Sequence, residues 1–97
     1  MKGYWLILGT EITDQAAQAE YGALWAPIAK RYGARLVSVS EAARLLEARD
    51  ASRMLLVEFP SHEAARACYE DPAYEAARVF AAKAAKRSLV LLRGELG

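Results

Sequence analysis

Three short runs of this chain are apolar at every position: Tyr4-Trp5-Leu6-Ile7-Leu8, Met54-Leu55-Leu56-Val57 and Leu89-Val90-Leu91-Leu92. Aromatic and branched residues bounded by Gly, Pro and Ser mark them as strands. Successive side chains of a strand point to opposite faces, so a strand with one wet face should alternate apolar and polar residues. These do not. A sheet built from them carries an oily surface on both sides, and a chain of 97 residues has few other elements with which to cover both.

The intervening segments supply helices. After the first strand, Gly3 to Gly9, either Thr13 or Asp14 can serve as an N-cap, its oxygen accepting an amide proton that the helix leaves unpaired. Ala17, Tyr21, Leu24, Trp25, Ile28 and Tyr32 then fall at helical spacing and form one apolar stripe. Gly33 is the expected C-terminal cap. Pro27 lies inside this helix, where it removes one backbone hydrogen bond and either bends the axis or opens a space beside Trp25. Leu36 to Ser40 alternates and reads as a half-exposed strand. Glu41 to Ser52 reads as a hairpin-like excursion, either helical or an irregular arm with a short strand around Leu45. Arg53 to Phe59 is the third strand, ended by Pro60. Ser61 caps a short helix through Tyr69. Asp71-Pro72 restarts a helix to about Lys86, with Tyr74, Ala77, Ala81 and Ala84 on one side. Ser88 to Arg93 closes the series.

The order is β-α-β-β-α-β with the second helix split: a single α+β domain over residues 1–97, ferredoxin-like, with a four-stranded antiparallel sheet. Both helices of that fold cover the same face of the sheet. The other face is left with about six large apolar side chains, worth ~9–18 kcal/mol if buried. A typical domain is stable by only ~5–15 kcal/mol. A homodimer in which two sheets pack face to face is the economical solution, with of order 1,600 Å² or more buried. The competing reading has strand twist and the Glu41–Ser52 arm covering the face within one chain.

Particular segments are similar to a known family. Gly3-Tyr4-Trp5, Tyr32 to Arg35, and Val57 to Ala77 with its Glu-Phe-Pro-Ser segment and Tyr69, Pro72 and Tyr74, resemble the domain of unknown function 1330 family over essentially the whole chain. The resemblance implies the dimeric α/β-barrel superfamily, in which paired ferredoxin-like sheets form a barrel and ligands lie between sheet and helices. That family often has glycines where Ser40-Glu41-Ala42 stands, and an apolar residue at His62, so His62 inherits no role. It has no settled activity and carries over no catalytic residue. Related branches include cofactor-free oxygenases, lactone isomerases and haem-dependent dismutases, an analogy of fold alone.

Composition narrows the chemistry. Thirteen basic residues against twelve acidic ones, with no basic cluster interleaved with aromatics, leave no footprint for nucleic acid. Cys68, the lone cysteine, allows no internal disulfide, suits a reducing cytoplasm, and reads as a small buried hydrophobe. The N-terminal apolar run of about six residues is too short for a signal peptide, and no run approaches the ~18 apolar residues of a membrane span. A cytoplasmic protein is expected. Metal and cofactor sites are not expected: there is one histidine, and neither a glycine-rich phosphate loop nor a nucleophile elbow.

The remaining candidates are aromatic. Trp5 (or Tyr4), Tyr21, Trp25, Tyr69, Tyr74 and Phe80 could line a pocket for a small apolar or aromatic ligand, or could simply be core. His62 is the one side chain whose ordinary pKa suits proton transfer near neutrality, unless it is merely a surface residue at a helix start. Glu58 interrupts an apolar strand and shares a face with Met54 and Leu56. It is either a general base or a structural partner of an Arg or a Tyr hydroxyl. Two functional readings follow. In one, a homodimer performs cofactor-independent oxygenase, isomerase or cyclase chemistry, with Trp5, Tyr21, Trp25, Tyr69 and Tyr74 holding substrate and His62 or Glu58 moving the proton. In the other it is a non-catalytic ligand-binding or assembly module. A cavity that is open and lined by His62 or Glu58 favours the enzyme; a filled one favours the module.

Overall fold

The computed structural model describes residues 1–37 and 44–94. The elements run β1 (Gly3–Gly9), α1 (Gln15–Tyr32), β2 (Arg35–Val37), β3 (Arg53–Phe59), α2 (His62–Glu70), α3 (Pro72–Ala84) and β4 (Arg87–Arg93). All neighbouring strands are antiparallel, in the order β2-β3-β1-β4. This is the expected ferredoxin-like order with its second helix broken in two.

Local chemistry sets the boundaries. Of the two candidate caps for α1, Asp14 is the one used: its Oδ1 accepts the Ala17 amide at 3.0 Å. Gly33 ends the helix with φ 65°, in the left-handed region where a Cβ is unfavourable. Pro27 stays within the helix on its exposed side, where water can satisfy the carbonyl that the missing N–H leaves free. Ser61 caps α2 through the Ala64 amide. Asp71 caps α3 through the Ala73 amide, with Pro72 in the first turn. Residues 44–52 form no helix or strand, so the short strand considered around Leu45 is not formed. The described part of β2 is Arg35–Val37; the expected continuation through Ser40, and the start of the following excursion at residues 41–43, lie outside the described residues.

The register resolves what apolar strands leave ambiguous. Trp5 pairs with Val57 and Leu91, and Ile7 with Leu55 and Leu89, so these share one face with Phe59. That face carries the core, packed against Ile28 of α1, Ala65 and Cys68 of α2, and Tyr74 and Ala77 of α3. The opposite face carries Tyr4, Leu6 and Leu8 of β1, Met54 and Leu56 of β3, Val90 and Leu92 of β4, and Val37 of β2. None of these belongs to the core cluster. The β1 strand therefore alternates buried and half-buried along its whole length, although its sequence does not alternate.

One close approach fixes how α2 meets the sheet. A Cβ on Gly3 would lie 2.6 Å from the Cα of His62 and 2.7 Å from the carbonyl oxygen of Ser61, so only glycine fits. Among the described residues, no helix is long and apolar enough to cross a membrane.

Candidate functional site

The five aromatic residues expected around a ligand do come together, but mostly around one another. Trp5 is the hub, with the rings of Phe59, Tyr74, Trp25 and Tyr69 at 4.8, 5.0, 5.6 and 5.9 Å between centroids. Its indole nitrogen donates to the Ala65 carbonyl at 3.0 Å, which satisfies the one polar atom of a side chain otherwise buried. Tyr21 stacks against Trp25 at 6.4 Å and meets Tyr74 edge-on. Phe80 lies outside this cluster, with the Lys83 ammonium over its ring, and Tyr4 lies on the other face of the sheet.

Two tyrosine hydroxyls of the cluster, those of Tyr74 and Tyr69, each face a guanidinium. Arg87 donates to the Tyr74 hydroxyl at 2.6 Å, and that hydroxyl also pairs with Tyr21 at 3.0 Å. Arg87 further sits over the Tyr21 ring. Arg78 donates to the Tyr69 hydroxyl at 2.6 Å and lies over the same ring at 4.7 Å. Burial pushes the Tyr74 hydroxyl well above its ordinary pKa, and the Tyr21 oxygen adds to this, against the pull of Arg87. Tyr74 is thus a neutral phenol at any physiological pH.

Open space lies beside the cluster rather than within it. Among the described residues, a cavity of about 50 Å³ lies between α1, α3 and the sheet, lined by Gln18, Tyr21, Arg53, Leu55 and Arg87 among others. That admits water but no aromatic ligand. A cleft of about 730 Å³ runs between α3 and β4, lined by Tyr69, Glu75, Arg78, Lys86, Arg87 and Leu89 among others. It is continued by one of about 320 Å³ over Trp5, Arg66, Leu89 and Leu91, and the two share Tyr69 and Leu89. Together they make one groove along the edge strand β4.

The proton-transfer candidates stand elsewhere. Glu58 is across the sheet from the aromatic cluster, level with Tyr4 and Arg35. Its carboxylate accepts from Arg35 at 2.9 Å, Lys2 at 3.2 Å and the Tyr4 hydroxyl at 3.2 Å. The Arg35 and then the Lys2 hydrogen bonds hold its pKa below the ordinary value. This is the Arg and Tyr partnership expected of a structural carboxylate. His62 is half-buried at the first turn of α2, and neither it nor Glu58 lines the groove or the small cavity. The arrangement that joined Trp25, Tyr21 and Tyr74 to Glu58 around one substrate is therefore not the one formed. Cys68 is fully buried, and burial and then Asp71 push its thiol up to about 12, as suits an inert core residue. Among the described residues, no group of three or more His, Cys, Asp or Glu is placed to hold a metal ion.

Sequence reasoning missed Arg78 and Arg87. Arg87 shares a strand face with Leu89 and Leu91, a cation at an inward position that strict period-two counting exposes. Arg78 lies four residues after Tyr74, directly beside the buried side of α3.

Residues 2–95 match the family described as Domain of unknown function (DUF1330). The chain belongs to the DUF1330 family. Among solved structures, a protein of unknown function from Rhodopseudomonas palustris is 22% identical, with TM-score 0.65, over 99% of this chain and 84% of its own. A dimeric protein of unknown function and ferredoxin-like fold from Bacteroides fragilis is 11% identical, with TM-score 0.59 and 95% of each chain covered. A variant of SnoaB, a cofactor-independent oxygenase from Streptomyces nogalater, is 14% identical, with TM-score 0.58, over 99% of this chain and 95% of its own. No curated protein matches the sequence. At these identities the likeness is one of fold, and what is particular to this DUF1330 chain must be read from its groove.

Proposed function

We propose that this protein is a homodimer that binds a small apolar or aromatic molecule, one per subunit, in the groove along β4. The carrying observation is that groove: its floor is apolar (Trp5, Tyr69, Leu89, Leu91), while among the described residues the cavity between α1, α3 and the sheet is too small for such a molecule. The dimer forms through the bare sheet face. Its apolar surface is of the kind that marks an interaction site, and the B. fragilis neighbour is described as dimeric. The small interior cavity, with no contribution from His62 or Glu58, supports a ligand-binding module first.

One observation favours the catalytic reading, cofactor-independent oxygenase-type chemistry. The Tyr21, Tyr74 and Arg87 polar atoms are hydrogen-bonded in a chain, and its Arg87 end lines the groove, where the guanidinium could donate to negative charge developing on a ligand oxygen. SnoaB, of similar fold, is a cofactor-independent oxygenase. Two measurements test these readings. A neutral aromatic probe, 2-naphthylmethanol, is expected to shift the methyl resonances of Leu89 and Leu91 and to quench Trp5 fluorescence. A Leu89→Glu variant, which puts a charge on the apolar floor shared by the two clefts, should lose the Leu91 shift and the quenching; if those responses persist, or never occur in the unaltered protein, the groove is not the site. Oxygen uptake with a panel of enolisable phenols, without added cofactor, should be abolished in Tyr74→Phe if the catalytic reading holds.

A further inference from the structure

The groove has two unlike halves. Toward Trp5 and Leu91 it is floored by apolar side chains, with the carboxylate there, Glu70, paired to Arg66; toward α3 and the start of β4 it is lined by Arg78, Lys86 and Arg87 against a single carboxylate, Glu75. We infer that the groove takes an amphipathic carboxylate, an organic acid whose oxyanion head lies between Arg78, Arg87 and Lys86 and whose apolar body lies over Leu89, Leu91 and Tyr69. This rests on the groove being the binding site, and adds the charge and polarity of the ligand.

The two guanidiniums carry the argument. Partly buried cations are ordinarily matched by carboxylates, because desolvation of an uncompensated charge is costly. Here neither is. Among the described residues, the ion pairs are Lys2 and Arg35 with Glu58, Arg31 with Asp71, and Arg66 with Glu70. Arg78 and Arg87 instead each hydrogen-bond a tyrosine hydroxyl and lie on a tyrosine ring. A neutral phenol fixes the plane of the guanidinium while leaving its charge uncompensated. The Nε of Arg78 is buried and, among the described residues, has no hydrogen-bond partner. Leaving such a donor unmet costs ~1–3 kcal/mol, so the hydrogen bonds among the described residues do not fully satisfy this guanidinium.

The neighbouring carboxylates do not fill that place. Glu75 lies on the same helix as Arg78 and lines the cleft, yet forms no ion pair with Arg78, Lys86 or Arg87 among the described residues. Glu47 and Asp50 approach Arg87 from its other side, across a separate cleft, and are likewise not paired with it. The head group faces preorganised donors of fixed geometry, which suits the planar, bidentate acceptor of a carboxylate. The apolar half argues against a bare inorganic anion as the natural occupant.

Titration of the intact protein with 2-naphthoate, its neutral analogue 2-naphthylmethanol and inorganic phosphate separates the possibilities. Naphthoate should bind at least about tenfold more tightly than the alcohol, and phosphate should compete only weakly. Arg78→Met, which keeps the apolar stem, should erase that preference, as a roughly tenfold or greater loss for naphthoate with the alcohol unchanged. Lys86→Met, at an exposed position that cannot threaten folding, should weaken naphthoate about two- to threefold. Equal binding of acid and alcohol overturns the anion inference while the groove reading survives. Phosphate binding as tightly as naphthoate overturns the amphipathic part. Failure of all three probes to bind sinks both readings.

Discussion

The two faces of one sheet are made from nearly the same residue types and do different work. On one, Trp5 and Phe59 are sealed beneath three helices; on the other, Leu6 and Leu56 are covered by no helix and only half-buried. Composition does not separate them, and neither does strand propensity. What separates them is the topology, which sends every helical crossover to the same side. Excess apolar surface on the second face is then an argument about assembly, since core packing has no need of it.

The contrast is sharpest when adjacent residues of β1 are changed. Trp5→Ala removes the hub of the aromatic cluster and should cost about 3–5 kcal/mol in denaturant unfolding, independent of protein concentration. Leu6→Ala, next to it but on the bare face, should cost about 2–4 kcal/mol with a concentration-dependent Tm if a second copy covers it. A loss within about 0.5 kcal/mol at every concentration would mean that the face is wet. Leu56→Glu sharpens this further: light scattering should report a folded monomer, and a persistent dimer would place the interface elsewhere.

Acid probes the polar edge of the bare face. Glu58 titrates below its ordinary value of 4.5 because Arg35 and Lys2 hold its charged form. Its stabilising contribution is therefore present above that value and lost as pH falls through the lower folded one. Folding stability should fall as pH drops below the ordinary value of 4.5, and Glu58→Gln should flatten this response while lowering stability at neutral pH. Asp71, on the helix side, is held down by Tyr32 and then by the Ala73 amide, so Asp71→Asn should change acid unfolding without changing assembly. The smallest expected effect belongs to the sealed face: Cys68 should remain unlabelled by Ellman's reagent at about pH 8 until the protein unfolds. Rapid labelling of the native state would show that this core opens locally.

Much of this architecture is legible in the residues. The bounds of β1 and β3 follow directly from their flanking Gly, Arg and Pro, and the stripe from Ala17 to Tyr32 is the inner face of α1. Glu58 finds the Arg and Tyr partners that its isolation among apolar residues demands. The site is less legible, for a physical reason. Because β3 is apolar on both faces, its sequence places Glu58 opposite Phe59 without saying which of the two meets the helices. Arg78 escapes notice because a lone cation beside small residues is indistinguishable from surface until the fold lays a tyrosine next to it, whereas Arg87 could have been placed inward by counting back from Leu91 and Leu89.

The tight fit of Gly3 against His62 has a consequence for folding accuracy. Sheets ordinarily lock their alignment by matching oily to oily, since a shift of one residue inverts every side chain. Here an inverted β1 would be almost as greasy as the correct one, so that safeguard is weak. The incoming helix presses its first turn onto the one position of the strand that lacks a side chain at that end. Sliding β1 by one step would put Lys2 or Tyr4 under the Cα of His62, a collision no rotamer can avoid. A missing atom thus keeps the strand in phase, and with it the division between the hidden face and the shared one.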